Sequence, residues 1–139
     1  MADYAKIYEF IEEVFKAGHD FSSDVIKIAL TNTAPTPASD TVLSTGNLHP
    51  PPAAANGYEQ KTVTVDSAVQ ADGMFTLAVT TDLVWTATAG GMGPFRYAIL
   101  FNSSKSNKLI GYWDYGSSIT LAEGETFTWD VTANIFTAA

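Results

Sequence analysis

Few residues in this chain could do chemistry, and their spacing limits what that chemistry can be. There are two histidines, His19 and His49, one arginine, Arg96, and no cysteine. Without cysteine there is no thiolate nucleophile, no disulfide and no Cys-ligated zinc. The histidines lack the i, i+4 spacing by which a helix presents two imidazoles to a metal. Each reads as a capping or solvated side chain, His19 lying just past a helix C-terminus where the dipole favours positive charge. Serines are plentiful, but none lies in a G-x-S-x-G elbow. The run "AGGMG" leads into a strand, so it lacks the helix N-terminus that a phosphate cradle uses. No D-x-D-x-D-G loop is present for calcium. Glu123 with Glu125, or Asp114 with Asp130, could form the carboxylate pair of a glycosidase. The first two sit at a turn, where acids are solvated, and Arg96 would neutralise the second two. These residues predict no enzyme and no metal or cofactor.

Arg96 needs a role of its own. In "PFRYAILF" the positions 95, 97, 99 and 101 are large and apolar, which places Arg96 on the other face beside Ala98 and Leu100. A guanidinium on a half-covered face needs a carboxylate partner, or its head must reach water. The loop "NSSKSN" makes the flanking strands a hairpin, and pairing outward from it brings position 96 near position 114. An Arg96–Asp114 cross-strand pair is expected, with Asp130 the second choice. The structural role is fixing register; the rival role is a ligand clamp.

The elements that would position these residues follow from hydrophobic period. Tyr4, Ile7, Ile11, Val14 and Phe15 recur at helical spacing, with Phe10 beside them, and predict a helix over 3–17. Asp3 is its candidate N-cap and Gly18 its candidate C′ residue. Such a helix either covers an edge of its own sheet or docks on a neighbouring subunit. A first strand is expected over 24–31. Residues 32–58 read as a long Pro-rich arm, and a loop of that length is usually functional or ordered against a partner. From 59 to 136 short alternating runs follow one another. "EQKTVTVDS", "GMFTLAVTT", "DLVWTAT", "PFRYAILFN", "KLIGYWDYG", "SSITL" and "ETFTWDVT" are separated by turn signals such as Asp72-Gly73, Gly90-Gly91 and Glu123-Gly124. Within "KLIGYWDYG", Leu109, Trp113 and Tyr115 share one face, and Ile110, Tyr112 and Asp114 the other. The pattern predicts one mainly-β domain over 1–139, an antiparallel sandwich of jelly-roll or immunoglobulin-like topology with a short N-terminal helix.

Composition narrows the partners. The 139 residues carry fifteen acids and seven bases, a net charge of −8. Nucleic-acid binding calls for a basic patch, so the sign argues against it. The opening "MADYAKIYEFIEEVFKAG" has acids throughout and no apolar core of a signal peptide, and no run approaches the roughly 18 apolar residues of a membrane helix. A soluble protein assembled in a cytoplasm, with no membrane partner, is expected. Trp85, Trp113, Trp129, Tyr112 and Tyr115 could form a sugar-stacking platform, although most occupy core-face positions. Tyr58 and Tyr112 are the more exposed by pattern.

Three segments carry a resemblance when taken together: "DVIKIALTNTAPTPASDTVL", "NGY" and "GPFRYAILFNSSKSNKLIGYWDYGSSITLAEGETFTWDV". They resemble a widespread family of tailed-bacteriophage and prophage virion proteins, most densely from Gly93 to Val131. The loop "STGNLHPPPAAANGY" departs from the family pattern in carrying more proline. The resemblance implies a structural component of the virion rather than an enzyme. That component would be assembled in the host cytoplasm and decorate or cement the head; a tail or tail-tip subunit is the nearest alternative. A carbohydrate-binding module for host glycans is the alternative from another class. The implied partners are the major capsid protein or other virion subunits, with a homo-oligomer, a trimer by preference, as the unit. An acidic body would suit locally basic capsid regions. The helix and the long loop supply the expected contact residues: Tyr4, Tyr8, Phe10, His49, Pro50, Pro51, Pro52 and Tyr58.

Overall fold

The computed structural model describes residues 2–44, 56–79, 81–130 and 134–138. It is mainly β, with antiparallel sheets and one short helix. In chain order the elements are β1 (Tyr4–Lys6), α1 (Glu9–Phe15), β2 (Ile26–Thr31), β3 (Lys61–Thr62), β4 (Val65–Ala71), β5 (Met74–Val79), β6 (Leu83–Thr86), β7 (Met92–Asn102), β8 (Lys108–Leu121), β9 (Thr126–Trp129) and β10 (Asn134–Ala138). A five-stranded sheet has the order β1-β8-β7-β2-β3, a three-stranded sheet β10-β5-β4, and β6 pairs with β9. No helix among the described residues is long and apolar enough to cross a membrane.

The five-stranded sheet is covered on both faces. On one, Ile26, Ile28, Leu30, Ala98, Leu100 and Ile110 meet Leu77 and Val79 of the three-stranded sheet and Trp85, Phe127 and Trp129 of the β6–β9 pair. This is the sandwich core. On the other, Ala29, Tyr97, Ile99, Phe101 and Leu109 form a second cluster with Ile7, and Leu43 packs against it. The described start of the Pro-rich loop therefore lies on its own domain. The Leu43 amide donates to the Asn107 carbonyl at 2.8 Å, the Leu109 amide to Thr41 at 2.9 Å, and Val42 bridges to Lys108. Over residues 32–44 the expected arm is instead a cover for the second face, and residues 45–55 lie outside the described set.

The helix is shorter than its period predicts. Tyr4–Lys6 forms an edge strand on β8, with Tyr4 opposite Trp113 and Lys6 opposite Gly111. The open edge of β8 offers ladder hydrogen bonds that outweigh the weak propensity of an uncapped first turn. Asp3 is not the N-cap; that position belongs to Tyr8, which makes no side-chain cap. At the other end the left-handed residue is Ala17, at φ 59°, and not Gly18. The Gly18 amide reaches the Glu13 carbonyl at 2.6 Å and the Ala17 amide reaches Val14 at 3.3 Å, the two bonds of a Schellman cap. Gly18 is required by crowding, since a Cβ there would lie 2.9 Å from the Glu13 carbonyl oxygen.

Several strands differ from their patterns because of bulges. β7 shifts register between Phe95 and Tyr97, so Phe95 enters the main core with Ala98 and Leu100 instead of sharing a face with Tyr97, Ile99 and Phe101. A second shift between Leu100 and Phe101 puts Ile110 with Trp113, and Leu109 with Tyr112, the reverse of simple alternation. "SSITL" is not a separate strand but the end of β8. β4 runs on through Ala71 into a two-residue turn, with Asp72 at φ 53° and Gly73 at φ 80°, the geometry that Asp-Gly favours between paired strands.

Candidate functional site

Arg96 and Asp114 meet as the hairpin arithmetic predicts. Arg96 Nε donates to Asp114 Oδ1 at 2.7 Å and Nη2 donates to Oδ2 at 2.9 Å, a two-point contact. Both side chains stay well exposed, and Arg96 sits in the β7 bulge, not within a regular half-covered face. Asp114 Oδ1 also accepts the Gly116 amide at 2.8 Å, where the chain turns left-handed at φ 88°. Hydrogen bonding from Arg96 and from the Gly116 amide holds the Asp114 carboxyl below its ordinary range. The pair braces the irregular stretch where β8 sets residues 115–118 opposite Arg96 alone, before pairing resumes between Phe95 and Ile119. That is a structural role.

The expected contact residues separate on inspection. Tyr8 is 65% exposed and remains available. Tyr4 is half-buried: its ring stands edge-on to Trp113 at 5.6 Å, and its hydroxyl donates to the Ile110 carbonyl at 3.2 Å. Phe10 is buried in the main core, not presented to a partner. Tyr58 is also buried, because β3 pairs only with Lys27 and Ile28 and leaves the Leu30 amide to be satisfied by the Tyr58 hydroxyl oxygen at 3.2 Å. His49, Pro50, Pro51 and Pro52 lie outside the described residues. The aromatic platform does not form: Trp85, Trp113 and Trp129 are buried, and Tyr112 and Tyr115 are half-buried.

Sequence patterning missed a site built around His19. Instead of capping the helix in solvent, His19 is buried, 8% exposed. The cap at Ala17 and Gly18 turns the chain back under α1, and the carboxylate of Asp20 then accepts from the Ser22 amide and the Ser22 and Ser23 hydroxyls. The imidazole lies parallel to Phe21 with centroids 5.8 Å apart, and edge-on to Phe10 at 5.2 Å. Its Nδ1 is 3.2 Å from Nδ2 of Asn102, a fully buried amide at the end of β7.

The orientation of that amide follows from its other bonds. Oδ1 of Asn102 accepts the Ser104 amide at 3.0 Å, and Nδ2 donates to Asp24 Oδ2 at 2.7 Å. The remaining Nδ2 hydrogen points to His19, so Nδ1 of the neutral imidazole is the acceptor and Nε2 carries the proton. Burial pushes the His19 pKa down, opposed by the charges of Glu13 and Asp24 and aided by those of Lys108 and Lys105. Among the described residues Nε2 has no hydrogen-bond partner. His19 lines a cavity of about 690 Å³ between α1 and the β4–β5 hairpin, walled by Phe10, Ile11, Val14, Phe21, Ala68 and Phe75. Lys105, 3.9 Å from Asp24, stands at its rim. The nearest sequence signal was a histidine set between Gly18 and "DFSSD", a run able to form capped turns.

No three potential metal ligands cluster among the described residues. Compared with protein-family models, curated proteins and solved structures, the chain finds no match.

Proposed function

We propose that the protein is a structural subunit of a tailed-bacteriophage particle, decorating or cementing the head by binding the major capsid protein or its own copies. The observation that carries an assembly role is the outer edge of β4, which pairs with β5 on one side and with no strand on the other among the described residues. Natural proteins usually blunt such an edge with lysine, proline or a bulge. Here the bulge lies between Val65 and Ser67, and beyond it "SAVQA" carries no charge and no proline. Val69, 53% exposed, and Met74, 40% exposed, stand on the outward side of this hairpin. A strand from a neighbouring subunit could add there through backbone hydrogen bonds and cover both side chains. Repetition around a symmetric particle would turn a weak contact into a stable one. The virion class itself rests on the resemblance of the hairpin segment, whose residues build the centre of the largest sheet.

The test is copy number per gradient-purified particle, by quantitative mass spectrometry against the major capsid subunit. A number comparable to that subunit supports head decoration, a far smaller one moves the protein to the tail, and absence from the particle refutes the reading. Val69→Lys should leave the monomer folded and lower particle occupancy about tenfold, the effect of ~1.4 kcal/mol lost from the contact.

A further inference from the structure

We propose that the cavity beside α1 binds a small, uncharged, largely aromatic molecule carrying one hydrogen-bond acceptor, which the Nε2–H of His19 holds. This goes beyond the assembly reading and does not depend on it. Three observations lead to it. First, the cavity, at about 690 Å³, falls in the size range of small-molecule sites and is walled mainly by aromatic and aliphatic side chains. Second, a buried donor without an acceptor is rare in a native protein, and each instance calls for an explanation, of which a bound acceptor is one. Here the donor is fixed: Asn102 spends both amide hydrogens, on Asp24 and on His19 Nδ1, so the imidazole has only a proton to offer at Nε2. Inverting the ring would replace the Nδ1 acceptor by a C–H, and the other neutral tautomer would set two N–H groups against each other. Third, His19 is itself one of the residues that line the cavity.

The charges around the site set the ligand's own charge. Asp20 lies on the cavity wall, and Asp24 lies behind His19. Glu13 is paired with Lys108 at 2.9 Å, which leaves Lys105 against two acids. An anion gains nothing in such a field, and a cation finds no acceptor at the imidazole. A ketone, ester or amide carbonyl on an aromatic body meets both demands. Nε2 is closed to solvent. Binding requires one ring to move, Phe21, which is half-buried, lies on a turn and packs on the imidazole at 5.8 Å, on Phe10 at 6.0 Å and on Phe75 at 5.7 Å. Swung outward, it leaves its stacking place to the ligand's ring.

The probes are acetophenone and ethylbenzene, nearly equal in shape and differing in the carbonyl. Each is titrated into the full chain at millimolar concentration and followed by two-dimensional NMR. Acetophenone should bind once per chain and shift the His19 Nε2 and Hε2 resonances, which ethylbenzene should leave in place. In His19→Phe the ratio of acetophenone to ethylbenzene affinity should fall about tenfold, the effect of one buried hydrogen bond. Val14→Trp, a substitution on the half-open helix face, should abolish binding of both. The proposal is overturned by no saturable binding, by Nε2 resonances that ignore acetophenone, or by binding that survives Val14→Trp unchanged. If His19→Phe fails to fold, the Nε2 resonances of the unsubstituted chain decide alone.

Discussion

Gly111 is the position where one methyl group should detach a strand. A Cβ there would lie 2.0 Å from Tyr4 Cε2, 2.5 Å from Tyr4 Cζ and 2.7 Å from the Ala5 carbonyl oxygen. None of these separations is tolerable, so in Gly111→Ala the Tyr4 ring must leave β8. The loss includes its edge-on contact with Trp113, about 0.5–1.5 kcal/mol, and most of the burial of an aromatic side chain, about 1.5–3 kcal/mol. Alanine is better than glycine inside a strand by about 0.5–1 kcal/mol, which offsets part of that. A net cost of about 2–3 kcal/mol is expected, read by urea denaturation with the fluorescence of Trp113 as the local reporter. The cause is tested in the Tyr4→Ala background, where only the Ala5 carbonyl remains in the way. There Gly111→Ala should cost at least about 1 kcal/mol less than in the unsubstituted chain, because neighbours that share a contact are not additive, although the Ala5 carbonyl must still give way. Equal costs in the two backgrounds, or a cost under about 1 kcal/mol in the unsubstituted chain, would refute the steric argument.

Acid should destabilise the fold through His19. Its folded pKa lies below the ordinary 6.5 because burial disfavours the cation, so the unfolded chain takes up the proton first. Stability should therefore be full above pH 6.5 and fall as pH drops below it, by at most about 1.4 kcal/mol per unit, and His19→Phe should remove that slope from the denaturation midpoints. At the Arg96–Asp114 pair, Asp114→Ala should lower the urea midpoint more than Arg96→Ala, since the carboxylate also holds the Gly116 amide; equal effects would show the bulge bond to be idle. The Asp114 carboxyl, depressed from 3.8, should contribute stability above that pH and lose it as acid protonates the folded form, a step missing from Asp114→Ala.

What could be read from the sequence was mostly local. The Asp72-Gly73 turn lies within a few residues of the strands it joins, and the Arg96–Asp114 pair follows from counting back through one hairpin. Bulges defeated the count of faces: alternation holds only while two strands advance together, and the shifts near Arg96 and Ile110 each exchange inside for outside. The helix start was hidden because Tyr4–Lys6 takes its structure from β8, not from its own neighbours. The His19 site was hidden for the same reason, as Asn102, which fixes the imidazole, is 83 residues away. Tyr58 looked exposed because nothing near it in sequence shows that the Leu30 amide would lack a strand partner.

The pairing of β1 with β8 also sets an order of events in synthesis. The Tyr4 hydroxyl finds its acceptor at Ile110, 106 residues later in the chain. At about 5–20 residues per second, a ribosome needs roughly 5–20 s to deliver that partner once Tyr4 has been made. Throughout that interval Tyr4–Lys6 has no place to dock in its own chain, and the sheet can close only after β8 has been made. β1 is thus made long before β8 and seated only after it, and a nascent neighbour on the same message could offer it a β8 first, exchanging strands between copies before either has finished folding.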